Sequence, residues 1–378
     1  MNQKPSIKRL DVAGLRSLAQ ELGQKPYRGN QLAQWLYLRG ADSFTTMDNL
    51  PADFRQTLEE KYTLGAPSVV SRLADTDGTR KYLLRLGDGN LVETVAIVDK
   101  RRGRSRLTAC LSSQIGCAMG CIFCATGQMG LVRSLEPGEM LDQLQVIQSD
   151  YGEGAARSAS RGAAREPTGK VAEQENAVRI SNVVVMGQGE PFANYGATMN
   201  ALRMINDSDL FGIGARHITV STCGLMHPLR RFAEEGEQFT LAVSLHSAVQ
   251  KTRDVLMPGL VKQPLTALRE ALLYYIDCTS RRPSLEYALI EGVNDSRAEL
   301  EALIEFCHVP APGFHVNLIK LNPSGQSTTT NSLGPSPGAV VSEFKKALIL
   351  ANITISVRVS KGFSIGGACG QLANQARL

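Results

Sequence analysis

The sequence has no apolar run approaching the roughly 20 residues that span a bilayer, so no membrane partner is expected. Its first ten residues, MNQKPSIKRL, lack the apolar stretch of a secretory leader. The expected compartment is the cytoplasm. Charge of one sign is also scarce: 41 Lys and Arg against 36 Asp and Glu leave only +5. The eight cysteines in 378 residues do not make a disulfide scaffold, since those belong to short secreted chains. No internal repeat is visible beyond an alternation of strand-like and helix-like segments.

A chain of this length can bury a full core and carry an accessory unit besides. The mild charge is unevenly placed: Lys100, Arg101, Arg102, Arg104 and Arg106 fall together just before a cysteine-rich loop. Such a run reads either as a solvated loop or as a phosphate-binding patch.

Residues 1–64 read as a small helical unit. Val12, Leu15, Leu18 and Leu22 mark one helical face, ended by Gly23. Leu32, Trp35, Leu36 and Leu38 mark a second helix before Gly40, and Pro51 opens a third through Phe54 and Leu58. The period then changes over 65–104. Runs near 68–74, 79–86 and 91–98, separated by Asp77-Gly78 and Asp88-Gly89, read as an antiparallel β extension. On the third run Leu91, Glu93, Val95 and Ile97 share a face. A carboxylate there is either an edge-strand charge reaching water or a desolvated group that needs a partner.

Residues 105–351 alternate apolar strands, near 181–187, 217–222, 239–246, 285–291 and 314–321, with helical stretches. This pattern predicts an α/β fold with a parallel sheet, best read as a partial (β/α) barrel, with functional residues at the strand ends. A doubly wound open sheet is the second reading. Residues 352–378 form a last strand and loop. Residues 152–178, rich in Gly, Ala, Ser and charge, read as a disordered insertion.

The chemistry is concentrated at Cys117, Cys121 and Cys124, spaced C-x3-C-x2-C. Structural zinc wants four protein ligands, commonly as two pairs, and here three thiols share one loop. A 4Fe–4S cluster usually takes four cysteines; three leave one iron open to a substrate. Further along, Gly187-Gln188-Gly189-Glu190-Pro191 follows an apolar strand, and lacks the third glycine of a dinucleotide fingerprint. Ser221, Ser244-Leu245-His246 and Asn322 also end strands, placing polar groups on one rim.

The spacing C-x3-C-x2-C is the hallmark of the radical-SAM superfamily, in which the open iron binds and cleaves S-adenosylmethionine (SAM). The ordered set CLSSQIGC (110–117), the cluster loop, MGQGEP (186–191), VSTCG (220–224), VSLHS (243–247), NLIKLNP (317–323) and ACGQL (368–372) is narrower. It resembles the adenine-methylating radical-SAM RNA methyltransferases of the RlmN type and their Cfr relatives. The resemblance implies a radical-SAM barrel, a 4Fe–4S cluster and SAM as cofactors. It also implies 23S rRNA as substrate with tRNA as a further candidate, an electron donor such as flavodoxin or ferredoxin, and a monomer.

Residue by residue, the resemblance makes Cys117, Cys121 and Cys124 the cluster ligands. Gly189, Glu190, Ser221, Ser244, Leu245, His246 and Asn322 would line the SAM pocket. Cys369 would be methylated by one SAM and lose a hydrogen to a radical made from a second. Its carbon would then add to adenine C2, Glu93 would remove the ring proton, and Cys110 would release the product by closing a disulfide with Cys369. Alternatives are methylation at C8 and, in a different class, a non-catalytic cluster or zinc protein that binds RNA.

The chain departs from the family pattern at three places. Lys361-Gly362-Phe363-Ser364-Ile365 stands where R-G-x-D-I is usual, removing an arginine fork and an acid near Cys369 and predicting a looser loop. Cys223 replaces a common serine, and Gln188 a frequent methionine.

Overall fold

A computed structural model describes residues 4–101, 104–161, 179–323 and 333–374, with backbone alone for 100–101, 104–105 and 152–161. Three helices open the chain: α1 Val12–Glu21, α2 Tyr27–Tyr37 and α3 Ala52–Lys61. Asp11 caps α1 by accepting from the Gly14 N–H at 2.8 Å, and Gly23 ends it at φ +74°. Leu38, expected on the buried face of α2, is exposed because the helix stops at Tyr37. The unit is fastened to the core by a buried ion pair between Lys8 and Asp142. Burial pushes the Asp142 carboxyl up to about 6 even with that partner.

The hairpins follow at β1 Ser68–Ala74, β2 Arg80–Arg85 and β3 Leu91–Arg101. Next comes β4 Arg104–Cys110, then a ribbon of β5 Gln114–Gly116 and β6 Leu131–Ser134 flanking the short α4 Ala125–Gln128. Helix α5 Pro137–Arg161 takes in residues 152–161, the start of the stretch expected to be a disordered insertion, because the helical backbone continues past Tyr151; the rest of that expectation, 162–178, lies outside the described residues. The alternation then runs β7 Ile180–Val185, α6 Tyr195–Asn206, β8 Ile218–Thr222, α7 Met226–Glu234, β9 Thr240–Ser244, α8 Gln250–Leu256 and α9 Leu265–Thr279. It finishes with β10 Ser284–Leu289, α10 Arg297–Cys307, β11 His315–Lys320, α11 Gly338–Leu350 and β12 Thr354–Arg358.

Among the described residues, ten strands form one sheet in the order β1-β2-β3-β4-β7-β8-β9-β10-β11-β12. From β1 to β4 the pairing is antiparallel; from β4 onward every ladder is parallel. The architecture is the expected partial (β/α) barrel of the radical-SAM type, with its β extension built into the same sheet. Strand β4 is the pivot, since it closes the hairpins and begins the parallel set. Parallel strands put all their carboxyl ends on one rim, so Cys110, the 186–190 turn, Cys223, Ser244–His246, Asn322 and Arg358 come together. Among the described residues, no helix is long and apolar enough to cross a membrane.

Candidate active site

The cluster loop leaves the β5–β6 ribbon through Gly116 at φ +72°, where a Cβ would lie 1.8 Å from the Gly130 carbonyl oxygen. Only glycine fits there. The Cys117 N–H donates to the Gly130 carbonyl and the Cys124 N–H to the Cys121 carbonyl, both at 3.0 Å. A brace comes from α8 and the turn after it: Ile122 N–H donates to Leu256 O at 3.1 Å, and Gly259 N–H to Met119 O at 3.0 Å. The three thiols are half-buried and in no disulfide. Burial first, then neighbouring thiols and Glu190, pushes Cys117 up to about 11 and raises Cys121. Thiols that oppose one another's ionisation become thiolates together only beside a bound cation. Among the described residues, no three His, Cys, Asp or Glu side chains are placed to hold a single metal ion. A cluster makes no such demand, because each cysteine takes its own iron.

Across from this loop, Gly189 at φ +97° packs on Gln114 with no room for a side chain. Glu190 is 4% exposed. Its carboxylate accepts from Phe192 N–H at 2.9 Å, the Thr222 hydroxyl at 2.6 Å and Cys223 N–H at 2.7 Å. Among the described residues no cation pairs with it, and burial raises its pKa. An unpaired buried carboxylate is costly unless a ligand brings positive charge. Ser221 and Ser244 are half-buried on neighbouring strands and Leu245 is buried.

His246, two residues past the end of β9, is in the left-handed region at φ +56°, and its ring meets Phe123 of the cluster loop edge-on at 4.7 Å. Its Nδ1 accepts from Ala288 N–H at 3.0 Å, so the proton sits on Nε2. Burial and then Arg253 hold its pKa down at about 3, from an ordinary 6.5. The imidazole is therefore neutral, and the unfolded chain binds more protons between those two values. Wild-type stability consequently falls relative to H246Q as pH drops from 6.5 toward 3, by up to about 1.4 kcal/mol per pH unit. Denaturant unfolding of the pair across that window checks this; a pH-independent difference refutes it.

The C-terminal segment closes the rim. Gly370 O accepts from Ala125 N–H at 2.8 Å and Leu372 O from the Thr126 hydroxyl at 2.7 Å. Asn322 Nδ2 donates to Cys369 O at 3.2 Å, linking the SAM-pocket candidate to the segment that carries Cys369. Leu372 packs with Val95 and Cys110 in a small apolar cluster. The Cys110 thiol is pushed up to about 12 by burial and then by Cys369. Cys369 is exposed in surface terms yet crowded on its protein side. That crowding raises its thiol against the pull of Arg358.

Glu93 is not an edge charge. Strand β3 lies between β2 and β4, and the carboxylate is fully buried. It is partnered instead: Lys81 Nζ lies 2.8 Å from Oε1, with the side chains 5% and 0% exposed. Oε2 accepts from Ala373 N–H at 2.7 Å and Asn374 N–H at 3.1 Å. Both carboxylate oxygens are therefore engaged, one by a buried ammonium and one by two backbone amides.

The loop expected to be slack is tied from elsewhere. Gly362 N–H donates to Asp77 Oδ2 at 3.1 Å and Ser364 N–H to Asp75 Oδ2 at 3.2 Å. The acids come from the β1–β2 hairpin rather than from the loop itself. Arg358 of β12 pairs with Glu286 at 3.0 Å and supplies positive charge near Cys369. Of the basic run, Arg106 is exposed, Arg102 lies outside the described residues, and Lys100, Arg101 and Arg104 are described by backbone alone.

Three residues had no sequence signal. Arg253 of α8 is buried and donates to the carbonyls of Ser244 at 2.9 Å, Leu245 at 2.5 Å and Cys223 at 2.7 Å. Asn294 holds the carbonyls of His246 and Ala288. Lys81 sits diagonally across from Glu93, opposite Val95, which the β2–β3 register alone reveals.

Residues 7–64 match the ribosomal RNA large subunit methyltransferase N-terminal domain, and residues 111–307 match the radical SAM superfamily. A "probable dual-specificity RNA methyltransferase RlmN" of Moorella thermoacetica is 41% identical over 375 residues, covering 98% of each chain. That of Clostridioides difficile is 38% identical, again over 98% of each. The crystal structure of a radical SAM methyltransferase from Sphaerobacter thermophilus superposes with a TM-score of 0.83 at 36% identity, covering 98% of this chain and 100% of that one. The chain belongs to the RlmN family of radical-SAM RNA methyltransferases.

Proposed function

We propose that this enzyme methylates C2 of an adenine in 23S rRNA, and of a tRNA, through Cys369. The observation that carries the reading is the docking of one C-terminal segment on three groups at once: the cluster loop at Ala125 and Thr126, Cys110 through Leu372, and Glu93 through Ala373 and Asn374.

Cys117, Cys121 and Cys124 suit a 4Fe–4S cluster with one open iron, and Glu190 suits the SAM ammonium. Gly189, Ser221, Ser244, Leu245, His246 and Asn322 complete that pocket. When bound, these groups supply the methyl and the radical that later takes a hydrogen from it. Cys369 carries the methyl as a thioether and delivers its carbon to the ring. Glu93 takes the ring proton, and Arg358 favours the Cys369 thiolate as methyl acceptor. Cys110, as thiolate, then attacks the Cys369 sulfur; the S–S bond forms as the S–C bond breaks, and the released carbon keeps that electron pair and takes a proton to become the ring methyl. The helical unit 1–64 and the Lys100–Arg106 run grip phosphates while the base is splayed into the rim. The core at 105–351 and the segment 352–378 do the chemistry, and the 65–104 extension supplies Glu93. A reducing cytoplasm, with flavodoxin or ferredoxin as electron donor, suits both the cluster and the transient disulfide.

A non-catalytic cluster or zinc protein is set aside by membership of an enzyme family. Nucleoside mass spectrometry of rRNA and tRNA, with and without the gene, tests the rest. Loss of 2-methyladenosine is expected; loss of 8-methyladenosine instead would move the target carbon.

A further inference from the structure

The mechanism uses Glu93 but leaves Lys81, Gln188 and the last described residues unexplained. Lys81 is 5% exposed, and a buried ammonium with one partner is costly unless the pair does something the fold needs. Gln188 stands where methionine is frequent in the family, so its amide is this chain's own. That amide is fully used: Nε2 donates to Asn374 Oδ1 at 2.8 Å, and Oε1 accepts from Glu93 N–H at 3.3 Å. Methionine could make neither bond. Asn374 answers with its Nδ2 on the Leu91 carbonyl at 2.7 Å and its N–H on Glu93 Oε2 at 3.1 Å. It holds φ +53° to do so, a conformation that asparagine tolerates better than most residues. Ala373 N–H completes the set on Glu93 at 2.7 Å.

We propose that Lys81 and Gln188 are positioning residues for Cys369, which hold residues 372–374 on β3 as a polar latch. Lys81 fixes the Glu93 carboxylate, Glu93 holds the two tail amides, and Gln188 holds the Asn374 side chain. With the tail latched, Leu372 lies against Cys110 and Val95, and Cys369 is held three residues away between Cys110 and the cluster loop. The same carboxylate that would take the ring proton thus anchors the segment that delivers carbon to the ring. The two oxygens divide the work: Oε2 binds the tail amides, and Oε1 faces the Lys81 ammonium at 2.8 Å. This inference rests on the role proposed for Cys369.

Peptide-resolved hydrogen exchange on the full chain, run beside mass spectrometry of Cys369 after exposure to SAM, tests it. The variants are Lys81→Met, Gln188→Met and Ala373→Pro; the last deletes one donor and leaves every side chain of the latch in place. Exchange of the tail amides is expected to rise about tenfold or more in each, with slower methylation of Cys369. SAM affinity of A373P is expected to match wild type, separating positioning of the thiol from binding. If K81M does not fold, Q188M and A373P decide. Wild-type tail exchange in those two overturns the latch. A freed tail with Cys369 methylated at the wild-type rate overturns the positioning role. A wild-type chain whose Cys369 is never methylated overturns the role given to that cysteine and the positioning claim with it, while the exchange pattern still reports whether the latch exists.

Discussion

Replacing Cys369 with alanine is expected to reduce RNA methylation to below about one-thousandth of wild type. The other rim cysteines are poor substitutes: Cys110 and Cys223 are buried, and Cys117, Cys121 and Cys124 belong to the cluster loop. The fold should survive. The Cys369 side chain is exposed, and the segment is held through backbone and neighbours, by Asn322 on the Cys369 carbonyl, Ala125 on Gly370 and Thr126 on Leu372. An exposed Cys→Ala change of this kind alters stability by about 0.5 kcal/mol or less. The measurement is transfer of label from methyl-labelled SAM to RNA, with iron content and unfolding midpoint taken on the same samples. Undiminished transfer by an intact, iron-loaded C369A protein would remove the cysteine-borne methyl from the mechanism. Cys369→Ser should fail equally, since an alkoxide is not formed near neutral pH.

Much of this candidate site is legible in the sequence, and the residues show why. The C-x3-C-x2-C loop is local, so the chemistry of three close thiols is written in consecutive positions. The Asp77-Gly78 and Asp88-Gly89 turns and the β-period around Glu93 are local too. They correctly isolate Glu93 on an apolar face. Whether that face meets water or protein depends on β4 pairing with β3, and β4, basic at one end, resembles a linker. Helix α8 spans only Gln250–Leu256, too few turns to show a period, so Arg253 and its grip on three strand-end carbonyls stay hidden. The bond between Gln188 and Asn374 joins positions 186 apart. Its only trace in sequence is a polar residue where the family is frequently apolar. The loop at 361–364 misleads for the same reason: its acids come from a hairpin that folds back from far upstream.

Replacing Cys110 with alanine should stop the reaction at its last step and leave the RNA covalently attached to Cys369. Cys110 ends β4 inside the small cluster with Val95 and Leu372, and its thiol is raised in part by Cys369 itself. Cys110 thus packs on Leu372, three residues beyond Cys369 in the docked tail. Alanine keeps the cluster packed at a cost of about 1–2 kcal/mol, so methylation of Cys369 and attack on the base should proceed. In the proposed mechanism Cys110 is the group that breaks the S–C bond, so its loss should strand the adduct. A stoichiometric adduct is expected on denaturing gels, carrying the Cys369 peptide, with multiple turnover lost. The pH dependence of the wild-type enzyme carries the same argument. Resolution as proposed needs the Cys110 thiolate, burial raises that thiol well above the working pH, and its ionised fraction there grows about tenfold for each pH unit gained. Adduct formed in wild type by a rapid quench should then decay about tenfold faster per unit between pH 7 and 9, the rate rising rather than falling because deprotonation creates the nucleophile. An adduct that decays equally fast in C110A, or a wild-type decay flat with pH, would assign the cleavage to another group.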